Sequence, residues 1–161
     1  MATNREKIVN LYNKYKLTRD EVFKHQHYTI ITRAGIDKIQ GVEQIKIHYD
    51  VIECKPEFAS VKATAEKHEA SIQTFGSALV SENKAEVFKK KVYIKDKKDE
   101  NGDPLYKIVD DVKTIRKGNC TTWYVMEMAE KRAMSRAVLK LTGFYELGVF
   151  GEDESDEFKR K

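Results

Sequence analysis

The chain has 161 residues, enough for one domain that buries roughly 70% of the surface its unfolded form exposes. Apolar residues make up 40% and charged residues 35%, which excludes a disordered chain, and no run approaches the roughly 18 apolar residues of a membrane span. The net charge of +4 hides an asymmetry, because five of the acids lie within 152–157 and leave the rest of the chain at +9. A basic remainder of this kind favours a polyanionic partner.

The first part of the chain predicts two short helices and a strand. Apolar residues recur at helical spacing over 4–16, which predicts an amphipathic helix. Thr18 and Glu21 form a capping-box pattern, which predicts a second short helix that ends before Tyr28. The β-branched and aromatic run 28–32 predicts a strand.

The middle of the chain changes from helical to strand-like spacing. Residues 34–40 suit one or two helical turns stopped by Gly41. In 45–51 and 61–65 apolar and polar residues alternate, which predicts two strands of an antiparallel hairpin. A third strand is expected over about 70–75.

The last third of the chain predicts a long hairpin followed by a long helix. Residues 87–117 contain two apolar runs separated by the turn-forming segment 99–104, with ten Lys or Arg against six Asp or Glu. Residues 123–141 contain no Gly or Pro and are followed by Gly143, which is typical of a helix C-terminus. Alanines spaced four residues apart in this helix, Ala133 among them, predict close packing against a sheet or another helix.

The order of the predicted elements indicates an α+β fold, because strands and helices do not alternate. We expect an antiparallel β-sheet with an N-terminal helix and a long C-terminal helix packed on it, and an extended basic hairpin arm. The predicted organisation is a single domain over 1–147, with the arm at 84–118, followed by an acidic C-terminal tail at 148–161.

Nothing in the sequence favours catalysis. The P-loop, GxGxxG, HExxH and GxSxG motifs are absent, so we expect no enzyme and no cofactor. His25 and His27 are the only histidine pair, and neither they nor Cys54 and Cys120 fit a zinc motif or a disulfide framework, so no metal site is expected. The charged first residues lack the apolar run of a signal peptide, which favours the cytoplasm.

Basic and aromatic residues are interleaved in the predicted arm and along the last helix. Proteins that bind single strands combine a cationic groove for the backbone with aromatic platforms for the bases. The alternative is that the aromatic residues are core and the lysines a solvated rim, as in a non-DNA structural or interaction protein. The predicted nucleic-acid-binding residues are Lys89, Lys90, Lys91, Tyr93, Lys95, Tyr106, Lys107, Arg116, Lys117, Arg132, Arg136 and Lys140.

A motif in the last helix resembles that of a known family. The motif consists of Ala129, Arg132, Ala133, Arg136 and Ala137, followed by Leu141, Gly143, Phe144 and Tyr145. It is similar to the terminal helix of phage single-strand annealing proteins, the Erf and Sak groups, which share a fold with the eukaryotic Rad annealing proteins. Residues 73–76 resemble the strand end that precedes this helix in that fold.

The resemblance implies a function in phage or mobile-element recombination and replication. Such a protein binds single-stranded DNA, anneals complementary strands, assembles into a homo-oligomeric ring or filament, and uses no nucleotide cofactor. If phage-encoded, it would lie in the cytoplasm of a bacterial host. A plain OB-type single-strand-binding protein is the alternative within the same ligand class.

The acidic segment 152–157 and the following Phe158 resemble the tails of phage and bacterial single-strand-binding proteins. Those tails recruit replication partners and compete with DNA for the basic groove. The resemblance therefore implies a replication or recombination partner that binds this tail.

Overall fold

The computed structural model describes residues 3–25, 27–120 and 124–154, without the side chains of residues 83, 84, 116 and 117. Two compact units divide the chain. The first unit, here called the body, comprises residues 1–80 and 119–161, and the second, here called the hairpin, comprises residues 81–118. The chain leaves the body after Val80 and returns to it at Asn119, and there Val80 pairs with Cys120.

The predicted α+β class is confirmed. None of the helices in the described part of the chain is long and apolar enough to cross a membrane. The last strand is followed by a 3₁₀ turn, Glu152–Glu154, and preceded by another, Tyr145–Leu147. The elements in chain order are α1 (Asn4–Tyr15), β1 (Val22–His25), β2 (Tyr28–Ile31), α2 (Arg33–Glu43), β3 (Lys46–Cys54), β4 (Phe58–Lys67), β5 (Ala70–Leu79), β6 (Glu82–Lys98), β7 (Pro104–Lys117), α3 (Val125–Leu141) and β8 (Val149–Gly151).

The described strands form three separate sheets. Strands β3, β4 and β5 make an antiparallel meander, as the alternating sequence predicts, and β6 and β7 pair only with each other. Strand β2 pairs antiparallel with β1 and parallel with β8. The described strands do not form the five-stranded Greek-key barrel of an OB-type protein.

The prediction of a helix after Thr18 is wrong, although one of the two hydrogen bonds of its capping box is present. The Thr18 backbone N–H donates to the Glu21 carboxylate over 2.8 Å, as in a capping box. The chain then continues as β1, because Val22 and the next three residues pair with β2. A local capping signal is therefore satisfied within a turn, and strand pairing determines the conformation of the residues after it.

Two predicted ends also differ from the structure. Helix α2 continues through Gly41 to Glu43, and Gln44 caps it in the left-handed conformation at a φ of 52°. A Cβ at Gly41 would meet no heavy atom within 4 Å, so this glycine has no packing role that would end the helix. Strand β5 likewise continues beyond residue 75 to Leu79.

Helix α3 packs closely against β4 and β5, and the prediction that Ala133 is buried is confirmed. Ala129 and Ala133 are fully buried. On the facing strand, the Thr74 hydroxyl donates to the carbonyl of Ala133 over 2.6 Å. A Cβ at Gly76 would overlap backbone atoms of the helix. Small residues on both elements therefore allow the helix backbone to contact the sheet directly.

A cluster of ion pairs and hydrogen bonds around Glu43, here called the ion cluster, links α1, α2 and β4. Glu43 accepts hydrogen bonds from Tyr15, Lys14 and Lys67, each over 2.6 Å. Burial alone would raise the pKa of Glu43, but these three partners outweigh it and lower that pKa to about 2. Burial and the hydrogen bond to Glu43 raise the pKa of Tyr15 to about 12.

The acidic tail predicted over 148–161 begins inside the fold. Strand β8 is part of a sheet, and the acidic 3₁₀ turn after it contacts α2 and α3. Glu152 accepts from the backbone N–H of Arg33, and Asp153 accepts from the Ser135 hydroxyl over 2.9 Å. Glu154 forms an ion pair with Arg136. Three acids of the predicted tail thus hold the end of the body in place. Residues 155–161 lie outside the described residues.

Candidate nucleic-acid interface

The hairpin consists of two long antiparallel strands, β6 and β7, joined by a tight turn. Strand β6 pairs with β7 from Glu82, opposite Lys117, to Tyr93, opposite Tyr106. In the turn, the Asp99 carboxylate accepts from the N–H groups of Asn101 and Asp103 over 2.9 Å. The ladder is irregular between Tyr93 and Lys98, which places Lys95 in the irregular part.

The ladder places basic and aromatic residues on one face of the hairpin, here called the tyrosine face. Alternate residues of a strand share a face, and residues paired across an antiparallel ladder lie side by side on it. The register therefore assigns every residue of the ladder to a face. Within 87–93 and 106–112 the tyrosine face consists of Val87, Lys89, Lys91, Tyr93, Tyr106, Ile108, Asp110 and Val112, and the name is used for this part of the face.

Tyr93 and Tyr106 form an exposed aromatic pair at one end of this face. Their ring centroids lie 6.1 Å apart and their planes are inclined by 70°. Tyr93 is 64% and Tyr106 47% exposed, so both rings contact solvent. The ammonium of Lys91 lies 4.4 Å from the centroid of the Tyr106 ring. This geometry offers stacking surfaces with a cation directly beside them.

The lysines of the hairpin divide between the two faces. Lys89 lies on the tyrosine face and forms a 2.6 Å ion pair with Asp110, in which both side chains are largely exposed. Lys90 and Lys107 lie on the opposite face, beside Val109 and Val92. Among the described residues, Lys90, Lys91 and Lys107 have no acidic partner, so their charges are available to a phosphate.

Arg132, one of the predicted nucleic-acid-binding residues of the last helix, is buried in the body. Its side chain is 1% exposed. Its three nitrogens donate to backbone carbonyls: Nε to Asp153 over 2.9 Å, Nη1 to Ser77 over 2.7 Å and Nη2 to Asn119 over 2.6 Å. Arg132 therefore joins β5, the segment that re-enters the body and the C-terminal turn, and its burial keeps it from a ligand.

Arg136 and Lys140 follow Arg132 along the same helix but differ in exposure. Arg136 forms an ion pair with Glu154, which is 1% exposed, and donates to the Phe75 carbonyl over 2.7 Å. Lys140 is exposed, and its ammonium lies 5.2 Å from the centroid of the Tyr145 ring. Of the three binding residues predicted on this helix, only Lys140 is exposed.

The structure brings together only part of the predicted set. Lys89, Lys91, Tyr93 and Tyr106 share one face. The backbones of Arg116 and Lys117 belong to β7, but their side chains lie outside the described part of the structure.

Sequence reasoning missed the other members of the tyrosine face. Ile108 and Asp110 were not predicted, although the ladder places them opposite Lys91 and Lys89. In a regular antiparallel ladder, the numbers of two paired residues always have the same sum. Once Tyr93 is paired with Tyr106 across the turn at 99–104, this rule pairs Lys91 with Ile108 and Lys89 with Asp110. The sequence alone therefore allowed these two partners to be predicted.

Within the described ranges, no group of three His, Cys, Asp or Glu side chains comes close enough to hold a metal ion.

Comparison with known proteins finds no family model, no curated protein and no solved structure that matches the chain. The likeness of α3 to the annealing proteins therefore stays a prediction.

Proposed function

We propose that this chain is a non-catalytic, cytoplasmic protein that binds and anneals single-stranded DNA through the tyrosine face of its hairpin. Phage or mobile-element recombination and replication is the proposed setting. The observation that carries the proposal is the exposed Tyr93–Tyr106 pair, with the ammonium of Lys91 4.4 Å from one ring. Binding of single strands requires aromatic rings on which bases stack and cations that contact the phosphates, and this face presents both.

The same geometry favours a single strand over a duplex. An aromatic ring stacks on a base only when that base is unstacked from its neighbours, which is the ordinary condition of a single strand. Helix α3 presents no exposed edge with several free basic residues, since Arg132 and Arg136 are committed to the fold. Insertion of α3 into a groove of duplex DNA therefore has no support.

The test is the affinity of a Tyr93→Leu/Tyr106→Leu variant for labelled oligothymidylate, measured by fluorescence anisotropy. Leucine keeps an apolar side chain on the strand but removes the ring. Stacking of one base contributes about 1–3 kcal/mol, so we expect binding to weaken about 10-fold or more. A labelled oligouridylate of the same length distinguishes DNA from RNA.

A matched control makes the same change in the body. Tyr49 and Tyr124 are 39% and 37% exposed, so a Tyr49→Leu/Tyr124→Leu variant loses two exposed rings from the other unit. This control is expected to bind as the wild type does. Equal affinities of the hairpin variant and the wild type, with the hairpin variant folded, would exclude the tyrosine face as the site.

A second candidate function is binding of a protein partner through the same face. The apolar side chains of Val87, Ile108 and Val112 are 60–64% exposed and favour such a contact. The two functions differ in their salt dependence, because binding to phosphates weakens linearly in log[salt] and an apolar contact does not.

Two further properties belong to the proposal. Assembly of copies into a ring or filament would place many tyrosine faces along one strand. The C-terminal acidic segment is the proposed contact for a replication or recombination partner. Since Glu152, Asp153 and Glu154 contact the body, such a partner would bind through the acids that come after them.

A further inference from the structure

The hairpin has two open edges. Strands β6 and β7 form a two-stranded sheet, and no other described strand pairs with the outer edge of either. The ladder is regular over 82–93 and 106–117, so each outer edge offers a long row of backbone N–H and C=O groups. Such an edge is a template for pairing with another strand, and an isolated two-stranded hairpin is marginal in water.

The side chains of the hairpin also lack a core. No described side chain of 81–118 is buried, whereas half of the exposed large apolar side chains of the described chain lie there. Concentrated exposed apolar surface marks a contact with another molecule. These residues are Val87, Phe88, Val92, Tyr93, Ile94, Leu105, Tyr106, Ile108 and Val112.

The charges of the two strands decide which edges fit together. Strand β6 carries seven lysines against three acids, so two β6 edges side by side would set lysine against lysine. Asp110 and Asp111 are the two acids of β7. A β6 edge beside a β7 edge brings lysines next to aspartates, and the hairpin already shows that fit in the 2.6 Å pair of Lys89 with Asp110.

Lysines along a sheet edge commonly prevent edge-to-edge association. Over the regular ladder each strand carries four basic and two acidic residues, so the order of the charges, not their number, distinguishes the edges. If copies repeat the register of the hairpin, Lys89 lies opposite Asp110 and Glu86 lies opposite Lys113, which favours a β6 edge beside a β7 edge. We propose that the outer edge of β6 in one copy pairs with the outer edge of β7 in a second copy of this chain. The contact is head-to-tail, so it continues into a ring or filament.

This pairing deepens the proposed assembly by naming the two surfaces that meet. In the resulting continuous antiparallel sheet, the tyrosine faces of successive copies lie on the same side. The test contains no oligonucleotide, so its failure is distinguishable from a failure of the proposed binding of DNA.

The experiment blocks each edge separately with proline, which has no N–H to donate. In an antiparallel ladder, adjacent residues alternate between pointing their N–H groups at the partner strand and away from it. Proline is therefore placed in turn at Lys90 and Lys91 on β6, and at Val109 and Ile108 on β7. On each strand, the variant that keeps the circular dichroism of the wild type is used. Alanine at the same position is the matched control.

Light scattering then gives the mass of each sample. We expect the wild type and both alanine controls to form assemblies of many copies. Either proline variant alone should remain at the mass of one chain, 18.7 kDa, because every molecule lacks the same edge. A mixture of the two should double that mass and stop there, since one free β6 edge meets one free β7 edge.

Three results would overturn the proposal: a wild type of one chain's mass, proline variants that assemble like their alanine controls, or a single proline variant that dimerises with itself. If proline unfolds the hairpin, cross-linking gives the answer instead. Lys91→Cys and Ile108→Cys are made separately in a Cys54→Ser background and mixed with a flexible bis-maleimide. Cross-linked dimers in the mixture at several times the yield of either variant alone support the pairing, and equal yields contradict it.

Discussion

In the body, Arg132 is 1% exposed and donates to three carbonyls, whereas in the hairpin Lys89 and Lys91 lie on a face with no buried residue behind it. Both regions are rich in basic residues, but the body uses them to join distant segments. The hairpin leaves most of its lysines without an acidic partner among the described residues. Basic residues in a sequence therefore indicate a ligand-binding site only where the fold does not engage them in internal hydrogen bonds or ion pairs.

The acids show the same division. Glu43 in the body accepts from three partners, and Glu154 is buried beside Arg136. In the hairpin, Asp110 forms an exposed pair with Lys89. An exposed ion pair contributes at most about 1 kcal/mol, so the hairpin pair has little effect on stability. The comparison predicts large effects on stability from charge changes in the body and small ones in the hairpin.

The largest effect is expected for Arg132→Met. The substitution removes the donors of three carbonyls, so we expect a loss of about 3–5 kcal/mol in the free energy of unfolding by urea. Lys140→Met on the same helix is the control and should change stability by no more than about 0.5 kcal/mol. A loss below about 1 kcal/mol for Arg132→Met would show that the body does not depend on this arginine.

The next effect is steric. In Gly76→Ala the added Cβ would overlap the backbone of Ala129 and Ala133, so overpacking should cost about 1–3 kcal/mol. Gly41→Ala is the control, because its Cβ meets no heavy atom within 4 Å and alanine favours a helix by up to about 1 kcal/mol. Thermal melts should move in opposite directions for the two variants. A shared direction would contradict the close packing of α3 on β5.

A smaller effect is expected for Glu43→Gln, and it depends on pH. The fold lowers the pKa of Glu43 from 4.5 to about 2, so its contribution is present above pH 4.5 and is lost as the pH falls towards 2. Glu43→Gln should therefore cost about 1.5–3 kcal/mol at pH 7 and progressively less in acid. Urea unfolding at several pH values measures this, with exposed Glu146→Gln as control. A loss that does not vary with pH would contradict the ion cluster.

Local patterns predicted the parts of this structure that depend on local chemistry. The long helix, the strands of the meander and the hairpin follow from helical spacing, alternation and turn residues, and all are present. The role of Arg132 depends instead on Ser77, 55 residues away, and on Asp153, 21 residues away. A helical wheel shows which residues share an edge but not what packs against that edge. The burial of Arg132 was therefore missed.

The candidate site was predicted only in outline for a related reason. Composition identified the basic and aromatic content of the hairpin, but the site was predicted without the strand alternation and register that separate its two faces. The ladder places Lys91 with the tyrosines and Lys90 on the other side. The parallel pairing of β2 with β8 had no local signal, because the two strands are distant in sequence and β8 has only three residues.

The salt dependence of oligonucleotide binding tests the division between body and hairpin most directly. Lys91→Gln removes the lysine beside Tyr106, which has no acidic partner among the described residues, and Lys7→Gln removes one exposed charge from the body as a matched control. Loss of one lysine–phosphate interaction lowers the magnitude of the slope of log K against log[salt] by about 0.7, so we expect that fall in the hairpin variant and no change in the control. Both variants should unfold within about 0.5 kcal/mol of the wild type. Equal slopes for all three proteins, or a larger fall in the control, would contradict the account.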